Sequence, residues 1–261
     1  MFTHTPDFIK DTSLVELTGY KGVEAWLAIF DKALCRPHFW QLFLSEFNID
    51  ISQMRQKRCA DFVAGRYLAF LALQKLGIDC IVGVSSDNAP IWPAKICGSI
   101  SHSNNHAVVI IKKKSHEYEH LGVDIEVLLA TEKAERLYLQ FMNPDEVNFY
   151  HNHLNSNESL LDFNLFATLV FSAKEAVYKA YHPMINSFFG FDAISIIGFN
   201  KIDLMFKINN SFKQSISLTR PDLLNIIPEI IKVNWQFIEG GKSNLKHKIV
   251  CCWVLAGKLP V

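Results

Sequence analysis

The pentapeptide Gly122-Val123-Asp124-Ile125-Glu126 sets two carboxylates two residues apart inside an apolar run. Side chains alternate across a strand, so Asp124 and Glu126 share one face while Val123, Ile125 and Val127 take the other. Two like charges that close repel unless a cation lies between them. Hard oxygen donors with room for water and phosphate oxygens suit Mg2+. Taken alone, the segment fits a solvent-facing polar edge better, because half-exposed antiparallel strands alternate in the same way. A third carboxylate lies in Phe171-Ser172-Ala173-Lys174-Glu175-Ala176-Val177-Tyr178-Lys179. Glu175 and Lys179 are neighbours on one helix face, and small Ala173, Ala176 and Ala180 flank them where another element could approach closely. An ordinary surface ion pair explains this segment equally well. Beside the first two acids, however, Glu175 and Lys179 would complete a metal-phosphate site.

Cationic candidates come earlier. Arg58 and Arg66 fall on or beside a helical stripe of Phe62, Ala69, Leu73 and Leu76. Eight residues is a little over two turns, so both guanidinium groups could grip one anion along the helix, each in bidentate geometry. Without further company, rim residues snorkelling to solvent are the slightly simpler reading. Pro90-Ile91-Trp92-Pro93 and Gly98-Ser99-Ile100-Ser101-His102-Ser103 follow. Glycine and serine let the backbone approach a ligand, and His102 can donate to a phosphate oxygen, although a lone histidine is more often structural. His116-Glu117-Tyr118-Glu119-His120 matches the zinc-peptidase pattern, which requires both histidines on one helix face. Here it lies between two strand-like runs with room only for a hairpin connection, so a zinc peptidase is disfavoured. His151-Asn152-His153 and Lys112-Lys113-Lys114 read as solvated surface.

The positioning elements follow from pattern. Gly22 to Phe47 and Ser52 to Gly77 read as two helices, the second with Ser52 as N-cap. Short β-branched runs at Cys80–Ser85, Gly98–His102, His106–Lys112 and Leu121–Val127 read as strands, separated by turns such as Asp87-Asn88-Ala89-Pro90 and Asn104-Asn105. Asn143-Pro144-Asp145-Glu146 opens a helix, and Ser159 to His182 is a long helical pattern stopped before Pro183. Asp192–Phe199, Asp203–Ile208, Gln214–Thr219, Ile231–Ile238 and Lys246–Leu255 alternate as half-buried antiparallel strands. Helices then strands, twice over, predict an α+β chain of two similar halves, 1–120 and 121–261. Each half would carry a small antiparallel sheet on a long helix, with the active site between them.

Composition narrows the function. The chain has 261 residues, 49% of them hydrophobic, so a sizeable core is affordable and disorder is excluded as the main theme. Lys and Arg number 26 against 26 Asp and Glu, leaving no global field for nucleic acid or anionic lipid; any polyanion must be held by a local cluster. Met1 to Asp11 lacks an apolar targeting core and no segment approaches the roughly 20 apolar residues of a membrane span, so a cytoplasmic protein without an integral membrane segment is expected. Cys35, Cys59, Cys80, Cys97, Cys251 and Cys252 lie in apolar segments without a C-x-x-C pair, as reduced core residues do.

In this order, Arg58 with Ala64-Gly65-Arg66, Trp92-Pro93 with Gly98 to Ser103, Gly122 to Glu126 and Phe171 to Lys179 resemble the 4′-phosphopantetheinyl transferase superfamily. Within it they look like the two-half bacterial type that includes the enterobactin synthetase component. The resemblance runs from about Lys57 to Pro183. It implies Mg2+-dependent transfer of the phosphopantetheine arm from coenzyme A to a serine of an acyl or peptidyl carrier protein, with release of 3′,5′-ADP. By that resemblance Asp124, Glu126 and Glu175 hold the metal, and Glu175 takes the serine proton directly or through water. Lys179 and His102 serve the phosphates, and Arg58 and Arg66 clamp the nucleotide, with Ser101 and Asp124 as further coenzyme A contacts. It leans toward siderophore or other non-ribosomal peptide synthesis. Two internal halves can build the cleft within one chain, so a monomer is expected. Relatives often carry Lys or Arg just before the Pro-x-Trp-Pro segment; Ser86-Asp87-Asn88-Ala89 stands there instead, and Lys95 is a nearby substitute. The alternative is a carrier-protein-binding module of the same fold without catalysis.

Overall fold

Alternating apolar residues in the first half zip into an antiparallel sheet whose one face is closed by a long helix. The computed structural model describes residue 2 and residues 4–19, 22–156, 159–238 and 248–257. Described residues through Glu117 form one unit, which contains β1 (Ile9–Leu14), β2 (Glu24–Phe30), α1 (Pro37–Ser45), α2 (Gln56–Lys75), β3 (Gly83–Val84), β4 (Pro90–Ile91), β5 (Ile96–Ser103) and β6 (His106–Lys113). The strands order as β1-β2-β6-β5, every neighbour antiparallel. Ser103 pairs with His106, so β5 and β6 are joined by Asn104 and Asn105 alone, with φ of 44° and 66°. Asparagine tolerates that left-handed conformation, and such a turn matches the twist of the strands. α2 lies on the sheet so closely that a Cβ on Gly65 would stand 2.7 Å from Ile100 Cγ2.

Described residues from Tyr118 onward form the other unit. It contains β7 (His120–Val127), α3 (Thr131–Leu137), α4 (Pro144–Phe149), β8 (Asn155–Ser156), β9 (Ser159–Leu160), α5 (Phe163–Ile185), β10 (Ile194–Phe199), β11 (Asp203–Ile208), α6 (Asn210–Thr219), β12 (Ile230–Ile238) and β13 (Ile249–Ala256). Its sheet runs β10-β11-β12-β13-β7, so the last strand of the chain inserts beside the first strand of the unit. α5 covers that sheet. Each unit is thus a small antiparallel sheet on one long helix, the α+β architecture the pattern predicts. No described helix is long and apolar enough to cross a membrane.

The local chemistry explains where elements start. Asn143 caps α4: its side chain accepts from the Glu146 backbone N–H, and the Glu146 carboxylate accepts from the Asn143 N–H, a reciprocal capping box.

Several expectations need correction. Glu24–Phe30, expected within a helix, is β2, an interior strand paired on both edges; its alternating burial and two partners outweigh the helix propensity of Ala and Leu. β1 is a strand that the polar N-terminal segment did not suggest. α2 begins at Gln56 after Arg55, not at Ser52, because buried Ile51 accepts a turn bond from the Met54 N–H and holds the chain back from helix. α5 begins at Phe163 and runs through Pro183 to Ile185. Proline removes one backbone bond near the end of the helix, and burial of Met184 and Ile185 outweighs that loss. Gln214–Thr219, expected as a strand, belongs to α6, where Phe212 and Ile216 bury one turn apart. The expected strand from Lys246 starts outside the described residues; its described part is β13. Cys80–Ser85 reduces to the two-residue β3.

Candidate active site

In the second unit the site is built where β7 meets α5. Gly122, Asp124 and Glu126 point to one side of β7 and Val123 and Ile125 to the other. A Cβ on Gly122 would lie 1.9 Å from the carbonyl oxygen of Ala176 and 2.8 Å from the Ala180 amide nitrogen, so this side faces α5 at backbone contact. Asp124, two residues along, is buried rather than solvent-facing, which removes the polar-edge reading. Lys179, one turn beyond Ala176, donates to Asp124 Oδ1 at 2.7 Å. Glu175 lies half-buried on the same helix, four residues before Lys179, and forms no hydrogen bond or ion pair among the described residues. Burial holds its carboxyl above the ordinary glutamate range; the Lys179 ammonium works against this and the Asp124 carboxylate adds to it. Asp124, Glu175 and Lys179 are therefore brought within electrostatic reach of one another. Glu126 is half-buried one alternation further along β7.

Among the described residues, no three His, Cys, Asp or Glu side chains stand gathered as a ready metal cage. The donor chemistry nonetheless fits magnesium. The set offers hard carboxylate oxygens, one of them uncommitted, and this ion characteristically takes one or two carboxylates and completes its octahedron with water and substrate phosphates. The neighbouring Lys174 is not part of this cluster. It is buried and donates to Phe141 O at 2.8 Å, Glu146 Oε2 at 2.7 Å and Phe191 O at 2.9 Å, pinning α5 to the α4 cap. Burial lowers its pKa, opposed by the Glu146 carboxylate.

In the first unit, α2 and β5 gather cations. Arg58, three residues into α2, donates from Nη1 to His102 Nε2 at 2.8 Å. Arg66, two turns on, is buried to 5% exposure, which excludes a rim position. Its Nη2 donates to Gly83 O at 3.2 Å and its guanidinium stacks on Phe62 at 4.5 Å, but its Nε is buried with no partner among the described residues. No carboxylate neutralises it among those residues. Burial, followed by the nearby Arg58 charge, lowers its pKa to about 10. A buried guanidinium beside a second one carries a charge that an anion would stabilise. Trp92 closes over Gly98, where a Cβ would meet its ring at 2.6 Å, so glycine is needed for that aromatic wall.

Strand alternation puts His102 on the side of Ile100 and α2, and Ser101 on the opposite side, so Ser101 does not join Arg58 and His102. Lys95 is exposed in the turn before β5, with φ of 64°. Asp87 is tied to the Ser85 hydroxyl, so the segment where relatives carry a base folds on itself. The segment 116–119 holds no helix between β6 and β7, which removes the zinc-peptidase geometry. Sequence reasoning missed Asp61, which pairs through Oδ1 with Lys32 Nζ at 2.7 Å and faces His102 Nδ1 through Oδ2 at 3.9 Å. Its spacing of three from Arg58 on one helix face was the available signal.

Comparison with known proteins matches residues 46–112 to the 4′-phosphopantetheinyl transferase N-terminal domain and residues 120–225 to the 4′-phosphopantetheinyl transferase superfamily. The chain is 30% identical to enterobactin synthase component D of Escherichia coli K12 over 190 residues, 70% of this chain and 82% of that protein. It is 34% identical to the Salmonella typhimurium protein of the same name over 181 residues, 69% of this chain and 68% of that one. It is 31% identical to the 4′-phosphopantetheinyl transferase Npt of Nocardia iowensis over 147 residues, 56% of this chain and 62% of that protein.

Proposed function

The chain belongs to the 4′-phosphopantetheinyl transferase superfamily, and from that premise we propose that it moves the phosphopantetheine arm of coenzyme A to a serine of a peptidyl carrier protein in siderophore or related non-ribosomal peptide synthesis. The observation that carries this reading is the meeting of Asp124, Glu175 and Lys179 at the Gly122–Ala176 contact. Enterobactin synthase relatives support the pathway.

The residues have separate tasks. Arg58 and Arg66 bind the nucleotide's phosphates, with His102 holding Arg58 among them; the buried charge of Arg66 supplies binding energy that fixes the coenzyme in register. Asp124, Glu126 and Glu175 would hold Mg2+, which when bound would neutralise the diphosphate and polarise the phosphorus attached to pantetheine. Glu175 accepts the proton of the carrier serine, directly or through one water, as the serine oxygen bonds to that phosphorus. The bond from phosphorus to the bridging oxygen breaks, and 3′,5′-ADP leaves with the electron pair. Lys179, held in place by Asp124, meets the charge that develops on the departing phosphate. A carboxyl held above the ordinary glutamate range is a stronger base once ionised, which suits Glu175 to this role. One chain supplies every group named, which supports a monomer as the working unit.

The experiment is incubation with apo-carrier domains of several pathway types, coenzyme A and magnesium. A carrier heavier by one phosphopantetheine, with 3′,5′-ADP released in equal amount, is expected. No modification of any carrier, with coenzyme A still bound, would contradict transfer and favour a binding module.

A further inference from the structure

Asp61 lies three residues after Arg58 and shares its face of α2. It is a buried acid amid cations: one oxygen pairs with the Lys32 ammonium at 2.7 Å and the other faces the His102 ring at 3.9 Å. The far side of that ring is held by Arg58 at 2.8 Å. A guanidinium only donates, so the nitrogen it meets, Nε2, must accept. The ring proton therefore resides on Nδ1, the nitrogen that faces Asp61.

We propose that Asp61 is a positioning residue for the phosphate-binding cluster: its carboxylate, 3.9 Å from Nδ1, holds the His102 ring with the proton on that side, so that Nε2 accepts from Arg58 and keeps that guanidinium where it grips the anion. The arrangement follows the general logic of a carboxylate behind an imidazole, in which the nitrogen that does not touch the ligand determines what the other nitrogen presents. Lys32 holds the carboxylate from its other side, so the acid is oriented by two contacts and its own position does not depend on the ligand. The inference rests on the reading of Arg58 and Arg66 as binding the phosphates of coenzyme A.

A role confined to stability would act in any background, whereas a role exerted through His102 vanishes when His102 is gone. The experiment is a double-mutant cycle on the full chain with 3′,5′-ADP as the calorimetric probe: wild type, Asp61→Asn, His102→Ala and the double variant. Asp61→Asn is expected to weaken binding about tenfold with His102 present and to leave it within about twofold when His102 is alanine, the signature of coupled residues. Equal weakening in both backgrounds, or none in either, overturns the proposal while the phosphate-site reading stands. Failure of the wild type to bind 3′,5′-ADP overturns both. A second readout guards against a variant that folds poorly: long-range proton–nitrogen NMR of the His102 ring in the wild-type protein. Protonation of Nδ1 is expected, with a mixture of tautomers in Asp61→Asn; a wild-type ring protonated on Nε2 alone overturns the proposal irrespective of binding.

Discussion

A Cβ added to Gly122 would stand 1.9 Å from the carbonyl oxygen of Ala176, so β7 and α5 touch backbone to backbone at this point. No side chain intervenes, and the carboxylate two residues along the strand is thereby set against the lysine one turn along the helix. The close approach makes glycine a requirement of the site rather than of a turn.

Gly122→Val tests that contact. The helix must move away from the strand, which costs about 1–3 kcal/mol or more in a packed core. Urea unfolding should show the loss, and transfer activity should fall further than stability alone explains, because Asp124 and Lys179 are separated. Unchanged stability and turnover would mean that the two elements are not in contact.

Arg66→Met separates binding from stability. The guanidinium is buried, meets no carboxylate among the described residues and repels Arg58, so its folded-state pKa of about 10 lies below the ordinary arginine value. A base with a lowered folded pKa destabilises the folded state at neutral pH, where it is charged, and an anion relieves that penalty. The ligand-free variant should melt no lower than wild type, while losing about 1.5–3 kcal/mol of coenzyme A affinity, roughly ten- to hundredfold. Thermal melts with and without coenzyme A measure both; an unchanged Kd would remove Arg66 from the site.

The Lys174–Glu146 pair predicts a different pattern. Lys174→Met leaves the Glu146 carboxylate buried without its cation and should cost about 3–5 kcal/mol. Adding Glu146→Gln should restore at least about 1 kcal/mol of that, since the stranded charge is gone. Additive losses in chemical denaturation would show that the two do not act as a pair.

The raised pKa of Glu175 belongs to the metal-free protein. Burial is the larger cause, Lys179 opposes it and Asp124 adds to it. Without magnesium the Glu175 carboxyl should therefore titrate above the ordinary glutamate value of about 4.3, and a divalent cation held beside it should pull that titration to lower pH. Carboxyl-carbon NMR titration of the ligand-free chain with and without magnesium checks this; a titration at or below the ordinary value without magnesium, or one that magnesium leaves in place, would contradict it.

Much of this was readable in the sequence, for physical reasons. The order of the short motifs, the acids of β7, the alanine-flanked Glu175 and Lys179 and the Asn143 capping box are local patterns, and local patterns survive folding. β2 was not readable, because its strand character comes from β6, about eighty residues away, and Ala and Leu in between favour helix when considered alone. α6 was lost because Gln214–Thr219 alternates when viewed without Phe212, whose burial with Ile216 sets the helical face. Asp61 was overlooked for a similar reason: an acid in an apolar helix gains meaning only once His102 and Lys32 arrive from other elements.

Removal of the serine proton by Glu175 within the Asp124–Lys179 cluster is tested most directly by the rate of carrier modification by Glu175→Gln beside wild type. At saturating coenzyme A and carrier, kcat should fall by about a hundredfold or more, with coenzyme A affinity and the melting curve preserved. Turnover equal to wild type in the folded variant would contradict the account.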